Sequence, residues 1–141
     1  MLIACIECDW KCLKEQCLSL GICQNSHINK IQTQESNIPD LIKRFNDNLL
    51  SECVIFAGLE PILQFDEVCS FIKEFRKTNN DDVVIYTGYY PEEIIDKIEI
   101  LKKFKNIILK FGRYRNDLPK TKDDILKIEI VSNNQWAEKI S

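Results

Sequence analysis

Seven cysteines are the residues best suited to chemistry in this chain of 141 residues. Five of them fall within the first 23 positions: Cys5, Cys8, Cys12, Cys17 and Cys23. Secreted disulfide scaffolds are usually shorter, have an even number of cysteines and begin with a leader, and we expect no secretory leader here. In a reducing compartment such a group of thiols is typical of a metal-binding or redox site. We therefore expect a cytoplasmic protein.

Composition narrows the classes of function further. Hydrophobic residues make up 45% and charged residues 29% of the chain, which indicates a globular protein. The length predicts a single domain over residues 1–141. A net charge of -3 argues against a nucleic-acid partner, because duplex-binding proteins usually carry a basic face. The apolar runs are far shorter than the roughly 20 residues that cross a bilayer, so we expect no membrane association.

Apolar runs and helical periodicity predict alternating strands and helices. Runs rich in β-branched and aromatic residues predict strands at 2–7, 53–58, 83–88, 106–112 and 125–131. Helices are predicted to begin near Asn37, at an Asp66 cap and at Pro91. The polar segment 8–36 is interpreted as a long functional loop, and the last ten residues as a short helix from Ser132 or Asn133.

This order predicts an α/β fold, a compact, partial (βα) barrel-like sheet of about five mostly parallel strands. Ligands of such folds bind at the carboxyl ends of the strands. The cysteine-rich loop follows the first strand, and Gly58, Gly88 and Gly112 end three others. We therefore expect the candidate residues to meet at one edge of the sheet.

The spacing of the thiols leaves several chemistries open. Cys8 and Cys12 form a CxxxC pair, whereas zinc sites usually contain C-x-x-C pairs. Iron–sulfur clusters accept more varied spacings. Cys5, Cys53 and Cys69 are interpreted as small buried apolar residues. The other candidates are Trp10 as a shield of the site, His27 as either a ligand or an ordinary loop residue, and Lys110 and Arg113 as binders of a carboxylate or phosphate.

Six short motifs carry a resemblance to a known family. They are CDWKC at 8–12, CQN at 23–25, AGLEP at 57–61, YTGYYPEEI at 86–94, ILKFGRY at 108–114 and SNNQ at 132–135. Their order resembles that in the activating proteins of anaerobic ribonucleotide reductase, which are small members of the radical S-adenosylmethionine (SAM) family.

The resemblance implies a fold of the radical SAM type and two cofactors, a [4Fe–4S] cluster and SAM. Three cysteines would hold the cluster and leave one iron open for SAM. Cleavage of SAM would give a 5′-deoxyadenosyl radical that takes a hydrogen atom from a glycine of a glycyl-radical enzyme. The implied partners are that enzyme, similar to anaerobic ribonucleotide reductase, and an electron donor such as flavodoxin or ferredoxin.

Site residues follow from the resemblance position by position. The matching cluster ligands are Cys8, Cys12 and Cys23. The segments that would face SAM are matched by Gly58, Leu59 and Glu60 after the second strand and by Thr87, Gly88 and Tyr89 after the third. An acid and an exposed strand end suit the amino group of SAM.

The chain departs from the family pattern in its cysteine loop. Ten residues separate Cys12 from Cys23, where the family has two, and Cys17 lies among them. Cys17 could replace Cys23 or act as a fourth ligand that closes the open iron. Leu59 replaces the second glycine of GGEP, Gln24 an aromatic residue and Phe111 an aspartate. The alternatives are a non-catalytic iron–sulfur or zinc-binding module, acting as a sensor or partner protein, and a structural domain with incidental thiols.

Overall fold

A computed structural model describes residues 1–33 and 35–141. The strands are β1 (Leu2–Cys5), β2 (Cys53–Gly58), β3 (Asp82–Tyr86), β4 (Ile107–Phe111), β5 (Thr121–Lys122), β6 (Glu129–Ile130) and β7 (Trp136–Lys139). The helices are α1 (Lys11–Glu15), α2 (Ile38–Asp47), α3 (Phe65–Phe75) and α4 (Ile95–Leu101). Short 3₁₀ turns cover Leu20–Ile22, Ser26–Lys30, Pro61–Gln64 and Pro91–Glu93.

The main sheet has five strands in the order β1-β2-β3-β4-β7. Strands β1 to β4 are parallel neighbours, and β7 runs antiparallel to β4. The structure is thus α/β with a mostly parallel five-stranded sheet, as predicted. Because β1 to β4 are parallel, their carboxyl ends lie at the same edge.

Local sequence explains where the helices begin. The Asn37 side chain accepts a hydrogen bond from the backbone N–H of Asp40 at 2.9 Å, so α2 begins where the sequence predicts. The predicted cap at Asp66 is wrong by two positions, since the residue before α3 is Gln64 and Asp66 lies in the first turn. Pro91 opens a 3₁₀ turn rather than the helix itself, and α4 follows from Ile95.

The two faces of the sheet are packed differently. Alternate residues of a strand face opposite sides, so Ile107, Leu109 and Phe111 pack against α2, α3 and α4 in the main core. Other buried members of that core are Phe45, Val54, Phe56, Phe71, Ile72, Phe75, Ile85 and Leu101. The opposite face carries a small apolar cluster that includes Val84, Ile108 and Ala137. This second face leaves room for a cavity.

The predicted strand at 125–131 is wrong as a member of the main sheet. Only Glu129–Ile130 is extended, and it pairs antiparallel with β5 in a separate two-stranded sheet. The Asp123 carboxylate accepts hydrogen bonds from the backbone N–H groups of Ile125 and Leu126, which turns the chain there. We call residues 121–131 the strap, because they cross the second face of the sheet.

The predicted terminal helix is also wrong. Residues 136–139 form β7, because the outer edge of β4 offers unpaired backbone groups and the chain returns to it after a turn at Ser132. Within the described parts of the chain, no helix combines the length and apolar character needed to cross a membrane.

Candidate metal centre

A cavity of about 270 Å³ lies at the carboxyl edge of the parallel strands. Its walls come from the cysteine-rich loop, the ends of β2, β3 and β4, and the strap. The structure brings eight of the nine residues that the resemblance assigns to the cofactors to this cavity: Cys8, Cys12, Cys23, Gly58, Leu59, Glu60, Thr87 and Gly88. Segments separated by more than 70 residues in the sequence thus share one site.

Cys8 and Cys12 are presented by a short, defined piece of backbone. Trp10 has a left-handed φ of 58° and directs its N–H at Cys8 Sγ, 3.3 Å away. The Trp10 carbonyl accepts the N–H groups of Leu13 and Lys14, so α1 begins at the next residue and carries Cys12. Cys8 and Cys12 thus both border the cavity, one before and one after this turn.

Cys23 approaches from the far end of the loop. It follows the 3₁₀ turn Leu20–Ile22, and the side chain of Asn25 donates to the Gly58 carbonyl at 2.6 Å. That bond attaches the segment around Cys23 to the end of β2. Cys17 is exposed, has a φ of 53° and does not line the cavity. The structure thus groups Cys23, and not Cys17, with the first pair.

Burial and mutual proximity raise the pKa values of the thiols of Cys8 and Cys12. Burial raises the pKa of the Cys8 thiol to about 11, the N–H of Trp10 lowers it in part, and Cys12 adds to the rise. Burial and the neighbouring Cys23 raise the pKa of Cys12. A bound metal would reverse this preference, because its positive charge stabilises thiolates and releases their protons.

Glu60 is a buried carboxylate at the end of β2. It accepts hydrogen bonds from the backbone N–H groups of Gly88 at 2.8 Å and Ile62 at 3.1 Å, and from the Thr87 hydroxyl. Burial nevertheless raises the pKa of Glu60.

Leu59 has no left-handed backbone angle, and its backbone N–H donates to the Cys5 carbonyl. Its side chain is therefore accommodated beside the cavity.

Tyr89 lies outside the main cavity. It lines a neighbouring cavity of about 30 Å³ together with Cys8, Cys12 and Gly88. Its hydroxyl donates to the Asp9 carboxylate at 2.7 Å. Burial is the largest cause of a raised pKa for Tyr89, and the hydrogen bond to Asp9 is the second. Tyr89 therefore contacts the turn between the first two cysteines.

Two further buried polar groups face the cavity. The Lys110 ammonium lies 5.4 Å from the centre of the Tyr86 ring, has no salt-bridge partner among the described residues, and has its pKa lowered by burial to about 8. Gln135 donates through its amide nitrogen to the Gly112 carbonyl at 2.9 Å, while its carbonyl oxygen has no hydrogen-bond partner within residues 1–33 and 35–141. The sequence predicts a binding role for Lys110, whereas Gln135 is only the last residue of the SNNQ motif there.

The remaining cysteines and the histidine have ordinary surroundings. Cys5 is buried, and Cys69 and Cys53 pack against the larger and smaller apolar clusters. His27 lies on the 3₁₀ turn Ser26–Lys30 with its ring nitrogen 3.1 Å from the Gln24 carbonyl, and it does not line the cavity.

The donor set of the cavity fits an iron–sulfur cluster. In residues 1–33 and 35–141, no three His, Cys, Asp or Glu side chains are gathered closely enough to ligate one metal ion. A cubane cluster requires a wider arrangement, because each thiolate binds a different iron. Three cysteines bordering one cavity supply the ligand type that such clusters use.

Comparison with protein-family models agrees with this donor set. The family model described as a 4Fe-4S single cluster domain matches residues 2–136. Comparisons with curated proteins and with solved structures give no match. The match covers all five strands of the main sheet at least in part and the whole cysteine-rich loop. The chain therefore belongs to the 4Fe-4S single cluster domain family.

Proposed function

We propose that this protein holds its [4Fe–4S] cluster through Cys8, Cys12 and Cys23 and uses it to cleave SAM. The observation that carries the proposal is that these three thiols, without Cys17, border the same cavity as the ends of β2 and β3. Three protein ligands leave one iron with an open position, as catalytic metal sites require. The matched family is associated with radical SAM proteins, which supports the same chemistry.

The neighbouring residues suit the methionine part of SAM. Glu60 offers a negative charge and the backbone at Gly58 offers a carbonyl, both favourable to an amino group. Lys110 offers a buried positive charge that forms no salt bridge with the described residues, and a substrate carboxylate beside it would offset the cost of its burial. Gln135 lines the same cavity, and its buried carbonyl oxygen has no hydrogen-bond partner among the described residues.

When bound, the cluster would supply one electron to the sulfonium of SAM, giving methionine and a 5′-deoxyadenosyl radical. The chain's own residues bind and orient the substrate and limit access of water. Ile128, Ile130 and Val131 of the strap form an apolar wall of the cavity, which suits a reactive radical. We propose a glycyl-radical enzyme similar to anaerobic ribonucleotide reductase as the partner, with flavodoxin or ferredoxin as the electron donor.

Metal analysis tests the cluster. After anaerobic purification we expect about four irons and four sulfides per chain. Cys8→Ser, Cys12→Ser and Cys23→Ala should each lose the cluster, whereas the matched control Cys17→Ala should keep it. Loss with Cys17→Ala and retention with Cys23→Ala would reverse the assignment of the third ligand. One zinc ion and no colour would refute the cluster.

Product analysis tests the reaction. Protein reduced with dithionite and mixed with SAM should release 5′-deoxyadenosine, and Lys110→Met should weaken SAM binding. A complete cluster without 5′-deoxyadenosine would favour the non-catalytic module instead. Addition of the candidate glycyl-radical enzyme should produce a glycyl radical signal in electron paramagnetic resonance spectra.

A further inference from the structure

Helix α1 needs support from outside itself. It has only five residues, Lys11–Glu15, and isolated helices of that length do not persist in water. Its first residue follows a left-handed Trp10 whose side chain makes no capping hydrogen bond. A local side-chain contact at this end is with Asp9, whose carboxylate accepts the Lys11 N–H at 3.1 Å. Because α1 carries Cys12, whatever holds the helix also holds that thiol at the cavity.

A chain of four charges connects the two ends of α1. Lys11, at its start, pairs with Glu93 of the turn before α4. Glu15, at its end, lies with its carboxylate 2.8 Å from Arg113 Nε, an ionic contact without hydrogen-bond geometry. Arg113 in turn donates to Glu93 Oε1 at 2.6 Å. The Glu93–Arg113 pair therefore contacts the side chains at both ends of the helix.

Burial distinguishes this pair from the exposed ion pairs of the protein. The Arg113 side chain is 5% exposed and that of Glu93 is 22% exposed, against 72% and 63% for Lys43 and Asp47. Exposed pairs contribute little to stability, whereas loss of one partner of a buried pair is costly.

Both members of the pair are held in place by other contacts. Glu93 accepts the backbone N–H of Tyr90 at 2.9 Å, and the Arg113 guanidinium lies 4.8 Å from the centre of the Tyr90 ring. The hydrogen bond from Arg113 lowers the pKa of Glu93 to about 2, so its charge persists throughout the neutral range. The pair is thus a fixed anchor for the long side chains of Lys11 and Glu15 in α1.

Two further contacts fix the flanks of the same segment. Tyr89 donates to Asp9, between the two cysteines, and the Gln16 side chain donates to the Tyr114 carbonyl at 2.8 Å. The segment from Asp9 to Gln16 is therefore attached to the loops that follow β3 and β4. These are the same loops that end at the cavity.

We propose that Glu93 and Arg113 are positioning residues that hold α1, and with it Cys12, in the geometry that retains the cluster. The proposal rests on the proposed function in taking Cys12 as a ligand. Neither residue needs to contact the cluster, since both act through the backbone of the helix. Outer groups of this kind commonly change metal retention by 10- to 100-fold.

Glu93→Gln is the sharpest test, because it keeps the shape and removes the charge. Asp47→Asn is the matched control, since it removes the exposed partner of Lys43. In the full chain without cluster, Glu93→Gln should speed amide hydrogen exchange of residues 11–16 about 10-fold and leave the strands unchanged. In the loaded protein it should speed cluster release to a chelator by about 10-fold or more and shift the midpoint potential. Glu93→Asp, which keeps the charge, should restore most of the retention.

The outcomes separate this proposal from the proposed function. A wild-type protein that binds no iron would refute the cluster site, while the exchange experiment would still test the grip on α1. Unchanged exchange over 11–16, or an equal rise throughout the sheet, would overturn the positioning role. If Glu93→Gln fails to fold, Lys11→Met removes one arm only and should give faster exchange confined to the start of α1. Lys11→Met with wild-type exchange would overturn the proposal too.

Discussion

The Glu60 carboxylate at the end of β2 accepts a hydrogen bond from the backbone N–H of Gly88, beyond the end of β3, at 2.8 Å. The two residues are 28 positions apart in the sequence. The same carboxylate accepts the N–H of Ile62 and the hydroxyl of Thr87. One buried acid therefore joins two adjacent strand ends at the floor of the candidate site.

Replacing this acid should destabilise the protein. Glu60→Ala leaves the N–H groups of Gly88 and Ile62 without their acceptor, and we expect the free energy of unfolding to fall by about 2–3 kcal/mol. Urea denaturation of the two proteins measures the difference. Glu52→Ala, at an exposed position, serves as the control and should change little. Equal losses in the two variants would contradict the role of Glu60.

Gly58 should not tolerate a side chain. Its φ is 94°, and an added Cβ would lie 2.8 Å from the Cys5 carbonyl oxygen. We expect Gly58→Ala to lower the free energy of unfolding by about 2–4 kcal/mol through backbone strain and overpacking. Gly21→Ala is the matched control, because no atom lies within 4 Å of its added Cβ. Thermal denaturation of both variants should show a large loss for the first and almost none for the second.

Lys110 should make stability depend on pH in the alkaline range. Burial lowers its pKa from 10.5 to about 8, so the folded protein holds a desolvated ammonium below pH 8. The unfolded chain binds more protons between these two values, and the contribution of Lys110 to stability therefore rises with pH across them, by up to about 3 kcal/mol.

The Lys110→Met variant isolates this effect. Its gain in unfolding free energy over the wild type should be largest at pH 7 and should shrink between pH 8 and pH 10.5. All other titratable groups are shared by the two proteins, so their contributions largely cancel in the difference. Urea denaturation at pH 7, 9 and 10 under reducing conditions measures it, and a constant difference would contradict the burial argument.

Asp123 should hold the strap over the cavity. Its carboxylate accepts the N–H groups of Ile125 and Leu126 within the strap and that of Ala137 in β7, the last at 2.8 Å. We expect Asp123→Ala to cost about 2–3 kcal/mol and to speed amide exchange at Ile130. Asp124→Ala changes the exposed neighbour and should leave the exchange of Ile130 unaltered.

Strands β1 to β4 could be predicted because each is a nearly continuous apolar run, and the predicted range of β2 agrees at both ends with Cys53–Gly58. The antiparallel strand β7 could not, because WAEK is short and half charged and pairs only with a strand 25 or more positions earlier. The run at 125–131 alternates like a strand, but the Asp123 turn and the left-handed φ of Lys127 interrupt it.

The candidate site likewise has features that the sequence predicts and features that it does not. The cysteines could be placed at the sheet edge because a strand ends just before Cys8, and this requires only local pattern. The charges that hold α1 could not be foreseen, since Lys11 and Glu93 lie 82 positions apart and no local signal relates them. The buried state of Lys110 likewise depends on the strap, which folds over from a distant segment.

The unequal spacing of the three thiols affects the order in which a cluster can assemble. Three residues separate Cys8 from Cys12 and ten separate Cys12 from Cys23, so closing the second loop costs about 1 kcal/mol more chain entropy. The 3₁₀ turn Leu20–Ile22 within this loop, and the bond from Asn25 to Gly58 just after it, reduce that cost by ordering the loop beforehand. We expect Cys8 and Cys12 to capture iron first and Cys23 to close the site last.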